Sequence, residues 1–199
     1  MSLKFTYNSN TYIYIPVSRT ASTSVRTALE GSSDVTIDTA YTADIEGRRD
    51  PFVRTYNHIT YDEATALSST DGTETYFSVV RNPMHRAKSL YNYMRWRGWC
   101  ADTTFDSYWT DIINNSTHEA NVAPGAYTTR LQKDIVKTSG TIYKFETDLS
   151  QLETDFGVTL GTENEKPNVV SDAEYEAART IIETHFNDDY VEFGYTKGT

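Results

Sequence analysis

Cysteine is all but absent, with Cys100 alone in 199 residues. No intrachain disulfide and no cysteine-built zinc site is therefore expected, and the fold has to stand on packing. Long apolar runs are missing too. The most apolar stretches, Tyr12-Ile13-Tyr14-Ile15 and Tyr76-Phe77-Ser78-Val79-Val80, are strand-length, far below the roughly 20 residues that cross a bilayer. Met1-Ser2-Leu3-Lys4 has no apolar core of a secretory leader, so no membrane anchor and a cytoplasmic location are expected. The GxxxxGK[ST] loop of ordinary ATP and GTP hydrolases does not occur, which disfavours that chemistry. Repeats, low-complexity tracts and linkers are also lacking, so residues 1–199 are expected to form one domain. Loop-rich stretches are expected near 31–55, 101–128 and 161–171.

What is abundant is aromatic and acidic. Aromatics make up 13% of the chain, 15 of them Tyr, enough for a packed core. Asp and Glu number 28 against 18 Lys and Arg, a formal charge of −10. Spread evenly, that balance would exclude nucleic acid and anionic membranes as partners, and neither is expected. Residues 145–195 hold 13 acids against Lys166 and Arg179, a solvated rim that discourages polyanions. Elsewhere the balance reverses. Residues 1–29 carry Lys4, Arg19 and Arg26 without an acid, and residues 75–101 carry Arg81, Arg86, Lys88, Arg95 and Arg97 without an acid. A charge run is most often a solvated helix face, but both of these stretches coincide with strand-to-helix junctions, where α/β folds bind phosphates.

The first junction opens with Thr11-Tyr12-Ile13-Tyr14-Ile15, whose β-branched and aromatic residues read as a strand. Val17-Ser18-Arg19-Thr20-Ala21-Ser22-Thr23-Ser24 follows, and then a short helical pattern from Val25 that Gly31 stops. Small and hydroxyl residues between a strand and a helix let backbone N–H groups point at one anion, and Arg19 adds a full charge. The same Ser and Thr residues also suit the N-cap of an ordinary surface helix. The second junction runs from Tyr76-Phe77-Ser78-Val79-Val80 through Arg81-Asn82-Pro83 into a helix over about 84–97. Asn82 suits the N-cap and Pro83 the first helical position. Ala87, Leu90, Tyr91 and Met94 form one buried stripe at i, i+3, i+4 and i+7, with Ser89 on a different face. Ser171-Asp172-Ala173-Glu174 is a capping box opening a helix through about Phe186, with Tyr175, Ala178, Ile182 and Phe186 on its buried side.

Residues 17–24 resemble the 5′-phosphosulfate loop of sulfotransferases, [IV]-P-K-T-[AG]-[SG]-T-S. Residues 77–91, Phe77-Ser78-Val79-Val80-Arg81-Asn82-Pro83-Met84-His85-Arg86-Ala87-Lys88-Ser89-Leu90-Tyr91, resemble their 3′-phosphate motif, F-x-V-V-R-[DN]-P-x-x-R-x-x-S-x-Y. Tyr143-Lys144-Phe145-Glu146-Thr147-Asp148-Leu149 is similar to the family's strand-to-helix segment. Phe186-Asn187-Asp188-Asp189-Tyr190-Val191-Glu192-Phe193-Gly194-Tyr195 is similar to its terminus. The resemblance spans roughly 11–195 and is closest to the carbohydrate branch that includes heparan sulfate 2-O-sulfotransferases. It implies an α/β, P-loop-like three-layer fold with a central parallel sheet flanked by helices. It also implies the donor 3′-phosphoadenosine 5′-phosphosulfate (PAPS), whose product is 3′-phosphoadenosine 5′-phosphate (PAP), and a hydroxyl-bearing acceptor, expected to be a glycan. By motif position Arg19, Thr20, Ala21, Ser22, Thr23 and Ser24 hold the 5′-phosphosulfate, while Arg81 and Ser89 hold the 3′-phosphate. Arg130, in Tyr127-Thr128-Thr129-Arg130-Leu131-Gln132, lies where the family places donor or acceptor contacts. One departure bears on turnover: the family's Pro-Lys is Ser18-Arg19, and a planar guanidinium is not a point charge.

Sulfuryl transfer needs a base for the acceptor's proton, and His is the side chain tuned for that near neutral pH. Of His58, His85, His118 and His185, His58 stands in Asn57-His58-Ile59-Thr60-Tyr61, which resembles the H-[VI]-x-[FY] segment carrying the catalytic His of the 2-O-sulfotransferase branch. It is expected to be the base, with Asp62 or Glu63 as substitutes. A His packed under a loop is the other reading. Two further functions stay open: a PAP- or PAPS-binding protein of the same fold without transferase activity, and a P-loop phosphotransferase. Arg95-Trp96-Arg97-Gly98-Trp99 offers aromatics that can stack on sugar rings or simply pack at a helix end.

Overall fold

The computed structural model describes residues 2–47, 59–100, 102–115, 130–162 and 166–198. The chain begins with a hairpin. Leu3–Tyr7 (β1) pairs antiparallel with Asn10–Tyr14 (β2), Tyr7 opposite Asn10 and Leu3 opposite Tyr14. Asn8 and Ser9 between them both take positive φ, 48° and 63°, as the type I′ turn of a right-twisted two-residue hairpin requires. Leu3, Phe5 and Tyr7 alternate along β1 and point one way, which makes the strand legible in its period of two.

Thr36–Ile37 (β3), Thr75–Val80 (β4) and Thr141–Lys144 (β5) complete a five-stranded sheet of order β3-β1-β2-β4-β5. β2, β4 and β5 run parallel, while β1 is antiparallel to both its neighbours. The sheet is therefore mixed, which corrects the expectation of a parallel one. A two-residue turn can join only antiparallel strands, whereas a parallel pair needs a crossover of a dozen or more residues.

The described chain forms two compact units, Met1–Val80 with Gln132–Asn164 and Arg81–Leu131 with Glu165–Thr199. In the first, Ser22–Gly31 (α1) and Leu149–Phe156 (α6) cover one face of the sheet, and Thr39–Gly47 (α2) and Tyr61–Thr65 (α3) belong to the other. Val25, Leu29, Leu152 and Phe156 pack on Leu3, Phe5, Tyr14, Phe77, Val79 and Tyr143. The Phe156 ring lies 4.7 Å from Phe77 and 5.2 Å from Tyr12. On the opposite face Tyr61 meets Tyr76 at 4.6 Å, and Tyr41 Oη shares a 2.8 Å hydrogen bond with Ser2 Oγ. Lys4 reaches across to Glu74 at 2.9 Å and donates to the Ser69 carbonyl. Burial acts to raise the Glu74 carboxyl, but Lys4 and backbone N–H groups hold it below its usual range. Gly140, just before β5, leaves no room for a side chain, since an added Cβ would stand 2.6 Å from the Tyr76 carbonyl oxygen of β4.

The second unit is helical among its described residues: Pro83–Trp96 (α4), Phe105–Asn114 (α5), Asp172–His185 (α7) and Asn187–Glu192 (α8). The expected stripe of α4 is buried, with Ala87, Leu90, Tyr91 and Met94 packed against α5 and α7 residues such as Trp109 and Ile182. Ser171 and Glu174 close the expected capping box, and Glu174 also accepts from the Phe105 N–H at 3.3 Å, joining the starts of α7 and α5. Two stretches expected to be loop-rich carry regular structure. β3 and α2 lie within 31–55, where Asp38 Oδ1 accepts from the Tyr41 N–H and so opens α2. α5 lies within 101–128, where Phe105, Tyr108, Trp109 and Ile112 recur at helical spacing and are all buried. Among the described residues no helix is long and apolar enough to cross a membrane.

Candidate functional site

The loop of residues 17–24 leaves the sheet at the C-terminal end of β2. The Ile15 N–H donates to the Phe77 carbonyl at 2.9 Å, and Ser78 Oγ donates to the Ile15 carbonyl at 2.6 Å, so the loop springs from a fixed point. Buried Thr20 donates its hydroxyl to the Val17 carbonyl at 2.9 Å, which commits that proton inside the turn. Arg19 and Ala21, on either side of Thr20, take positive φ of 67° and 62°. For residues with a Cβ this conformation costs roughly 1–3 kcal/mol each and persists only where the surroundings impose it.

The strain has a geometric result. α1 starts at Ser22, three residues earlier than its apolar pattern, and its N-cap is Ala21, which has no side chain to cap with. The Val25 N–H closes the first helical bond onto the Ala21 carbonyl at 2.9 Å. The first turn also holds no acid. A Ser- or Thr-capped surface helix is thus not what forms here. Instead the positive end of a ten-residue helix meets a turn carrying Arg19, with no side-chain cap from its N-cap residue and no acid in its own first turn. Arg19 and Ser22 are half-buried, Thr23 is exposed and Ser24 is buried.

In the second unit Asn82 Oδ1 accepts from the Met84 N–H at 2.9 Å and the His85 N–H at 3.4 Å, with Pro83 at the first helical position. This cap sets the start of α4 and with it the spacing of Arg81 from Ser89, both half-buried. Ser89 lies off the buried stripe, as expected.

Arg86, the second arginine of the same motif, behaves differently. It is 2% exposed, and its Nη1 donates to the Arg130 carbonyl at 3.0 Å. The guanidinium also sits 5.7 Å from the Phe186 ring centroid. Burial pulls the group down to about 10, and the Asp189 carboxylate acts in the opposite sense. Asp189, itself fully buried, belongs to the terminal segment singled out in the sequence. The two charges that read there as solvated are both buried, and Arg86 fixes the backbone carbonyl of Arg130. Sequence reasoning missed their burial, although both residues stand in motifs as well as in charge runs. Arg130 itself is half-buried.

His58 lies outside the described residues, as do His118 and Tyr127-Thr128-Thr129. The acids offered as substitute bases have other work. Glu63 accepts from the Thr60 N–H at 2.6 Å in the capping box of α3, and Asp62 pairs with Lys137 at 2.5 Å. His185 lies edge-on to Phe186 with centroids 4.7 Å apart. Asp148, in the segment after β5, accepts from the Lys144 N–H at 2.9 Å and from Thr147 Oγ1 at 2.7 Å, which makes it a turn former.

Compared with family models, with curated proteins and with solved structures, the chain gives no match.

Proposed function

We propose that this chain is a PAPS-dependent sulfotransferase of P-loop-like fold, acting in the cytoplasm and moving a sulfuryl group to an acceptor hydroxyl of a carbohydrate. The observation that carries the reading is the start of α1: a strained turn after a parallel strand, with an N-cap residue, Ala21, that makes no side-chain cap and no acid in the first helical turn. That construction favours a phosphate or sulfate group. The resemblance of residues 17–24 and 77–91 to the two donor motifs of the family names the donor.

In this reading residues 19–24 hold the 5′-phosphosulfate, Arg81 and Ser89 the 3′-phosphate, and Arg130 the acceptor. The acceptor oxygen attacks sulfur in line with the bond to the bridging oxygen. As the new S–O bond forms the old one breaks, its electron pair stays on the bridging oxygen of departing PAP, and the acceptor's proton passes to His58. Arg19 offsets the charge growing on that oxygen.

Donor selectivity tests the reading. PAP at 100 times its Kd should stabilise the protein by about 2.7 kcal/mol, a melting shift of roughly 5–10 °C, and ADP much less. Arg81→Ala and Ser89→Ala should each erase that preference, since a charge-assisted contact to the 3′-phosphate is worth about 1.5–3 kcal/mol. Equal losses for PAP and ADP would remove the assignment.

Arg19→Ala should cut turnover by roughly 10²–10³ with a smaller loss of PAP affinity, and Arg19→Lys should keep or raise activity. A lysine variant as inactive as the alanine one, both folded, would overturn the loop assignment. The Ser18-Arg19 departure favours one second reading, a PAP- or PAPS-binding protein without transfer. A PAP melting shift with no sulfate transfer to any acceptor hydroxyl would establish it, while preference for ATP would mark a phosphotransferase.

A further inference from the structure

Three large apolar side chains, Trp96 (57% exposed), Trp99 (63%) and Val169 (49%), gather on one surface of the second unit. Trp96 ends α4, and Trp99 follows the turn at Gly98, whose φ is 76°. Lys166 Nζ lies 3.9 Å from the Trp96 ring centroid, and the Val169 N–H donates to Asn92 Oδ1 at 3.2 Å. Asn92 and Trp96 are one helical turn apart on the same face, so residues 166–169 run along α4 and bring Val169 to the side of Trp96. The Arg97 guanidinium covers Trp99 at 4.9 Å. Arg95 and Arg97 stand in the acid-free stretch 75–101.

We propose that this surface docks onto an anionic lipid bilayer. Lys166 and Arg97 lay their stems along apolar rings and keep their charges in water, the arrangement by which basic and aromatic side chains share a headgroup layer. The cations match the negative potential of anionic headgroups. Asp102 and Glu165 are the acids nearest these cations in sequence, while charges beyond a Debye length of about 8 Å are screened at physiological salt.

Ring geometry separates a bilayer from ligands that stack. Tyr93 meets Trp99 at 90° and Trp96 at 35°, so the rings share no plane on which consecutive bases or sugars could lie. Each indole has a face under its own cation, and Val169 has no π-face at all. A lipid interface is indifferent to ring orientation and takes all three side chains.

Co-sedimentation of the full chain with phosphatidylcholine vesicles, alone and equimolar with phosphatidylserine, tests the proposal at about 0.1 M salt. Binding is expected to the mixed vesicles only, with a blue shift of tryptophan emission. The third indole, Trp109, is fully buried, so the shift reports Trp96 and Trp99. The Trp96→Ala/Trp99→Ala variant should lose roughly tenfold or more in partitioning, and Arg97→Gln/Lys166→Gln should lose the preference for phosphatidylserine, both with unchanged melting. No sedimentation with mixed vesicles, wild-type partitioning by the double tryptophan variant, or tighter binding of an oligothymidine than of vesicles would each overturn it. None of these substitutions touches Arg19, Arg81, Ser89 or Arg130, so the outcome is independent of sulfotransferase activity.

Discussion

Asp189→Ala is expected to destabilise the protein by about 3–5 kcal/mol, the usual cost of leaving a buried charge without its partner. At about 2–4 °C per kcal/mol for a chain of this size, the melting temperature should fall by roughly 6–20 °C. The cost arises at Arg86, which is 2% exposed and has already lost the hydration of its cation. Its hydrogen bond to the Arg130 carbonyl and its contact with Phe186 survive the substitution, but neither supplies a negative charge. Turning Arg86 into methionine and Asp189 into leucine together should recover most of the loss, because apolar residues of similar volume often replace a buried ion pair at little or no cost. A double-mutant cycle followed by thermal melting measures the coupling. If Asp189→Ala melts within a degree or two of wild type, the two residues are not coupled and the buried-pair account is wrong.

His58→Ala should lower sulfate transfer by roughly 10²–10⁴-fold, the span of general base catalysis. An acceptor hydroxyl has a pKa far above neutrality and becomes acidic only as its oxygen bonds to sulfur, so the base acts in the transition state and leaves the ground state alone. The PAP melting shift should therefore persist in the variant. The base must be neutral to accept the proton, so wild-type activity should fall as pH drops through about 6–7, the range of an ordinary histidine. That acid limb should vanish in the variant. A His58→Ala enzyme within a few-fold of wild type, or one that keeps the acid limb, would remove His58 from the mechanism.

Much of the fold is legible in the residues. β2, β4, α4 and α7 follow from β-branched runs, a helical stripe, Asn82-Pro83 and Ser171-Glu174, where local preference and burial agree. β1 alternates Leu3, Phe5 and Tyr7 but was not read as a strand, since it is short and polar at Lys4 and Thr6 and its Asn8-Ser9 turn lacks the glycine that usually announces a hairpin. α5 was hidden by polar flanks, although its four buried residues keep helical spacing. β3, only two residues long, carries no periodic signal. At the site, the motifs give residue types but not the backbone. Alanine is a poor choice for a left-handed conformation, so nothing in its identity marks Ala21 as an empty N-cap. Charged Arg86 likewise reads as a solvent-facing helix residue until the fold closes over it.

The sheet is assembled from two separate lengths of chain, and synthesis meets them in order. β4 is complete at Val80, but its parallel neighbour β5 begins only at Thr141, after Arg81–Leu131 of the helical unit has been made. At about 5–20 residues per second, that wait lasts roughly 3–12 s on the ribosome. Throughout it the β4 edge that later bonds β5 has no strand beside it, a template on which a second nascent chain could add. The hairpin of β1 and β2, by contrast, closes within about 1–10 μs of emerging. Yield during expression should hence be governed by the interval between Val80 and Thr141 rather than by the stability of the finished sheet, and slower translation through that interval should cost soluble protein.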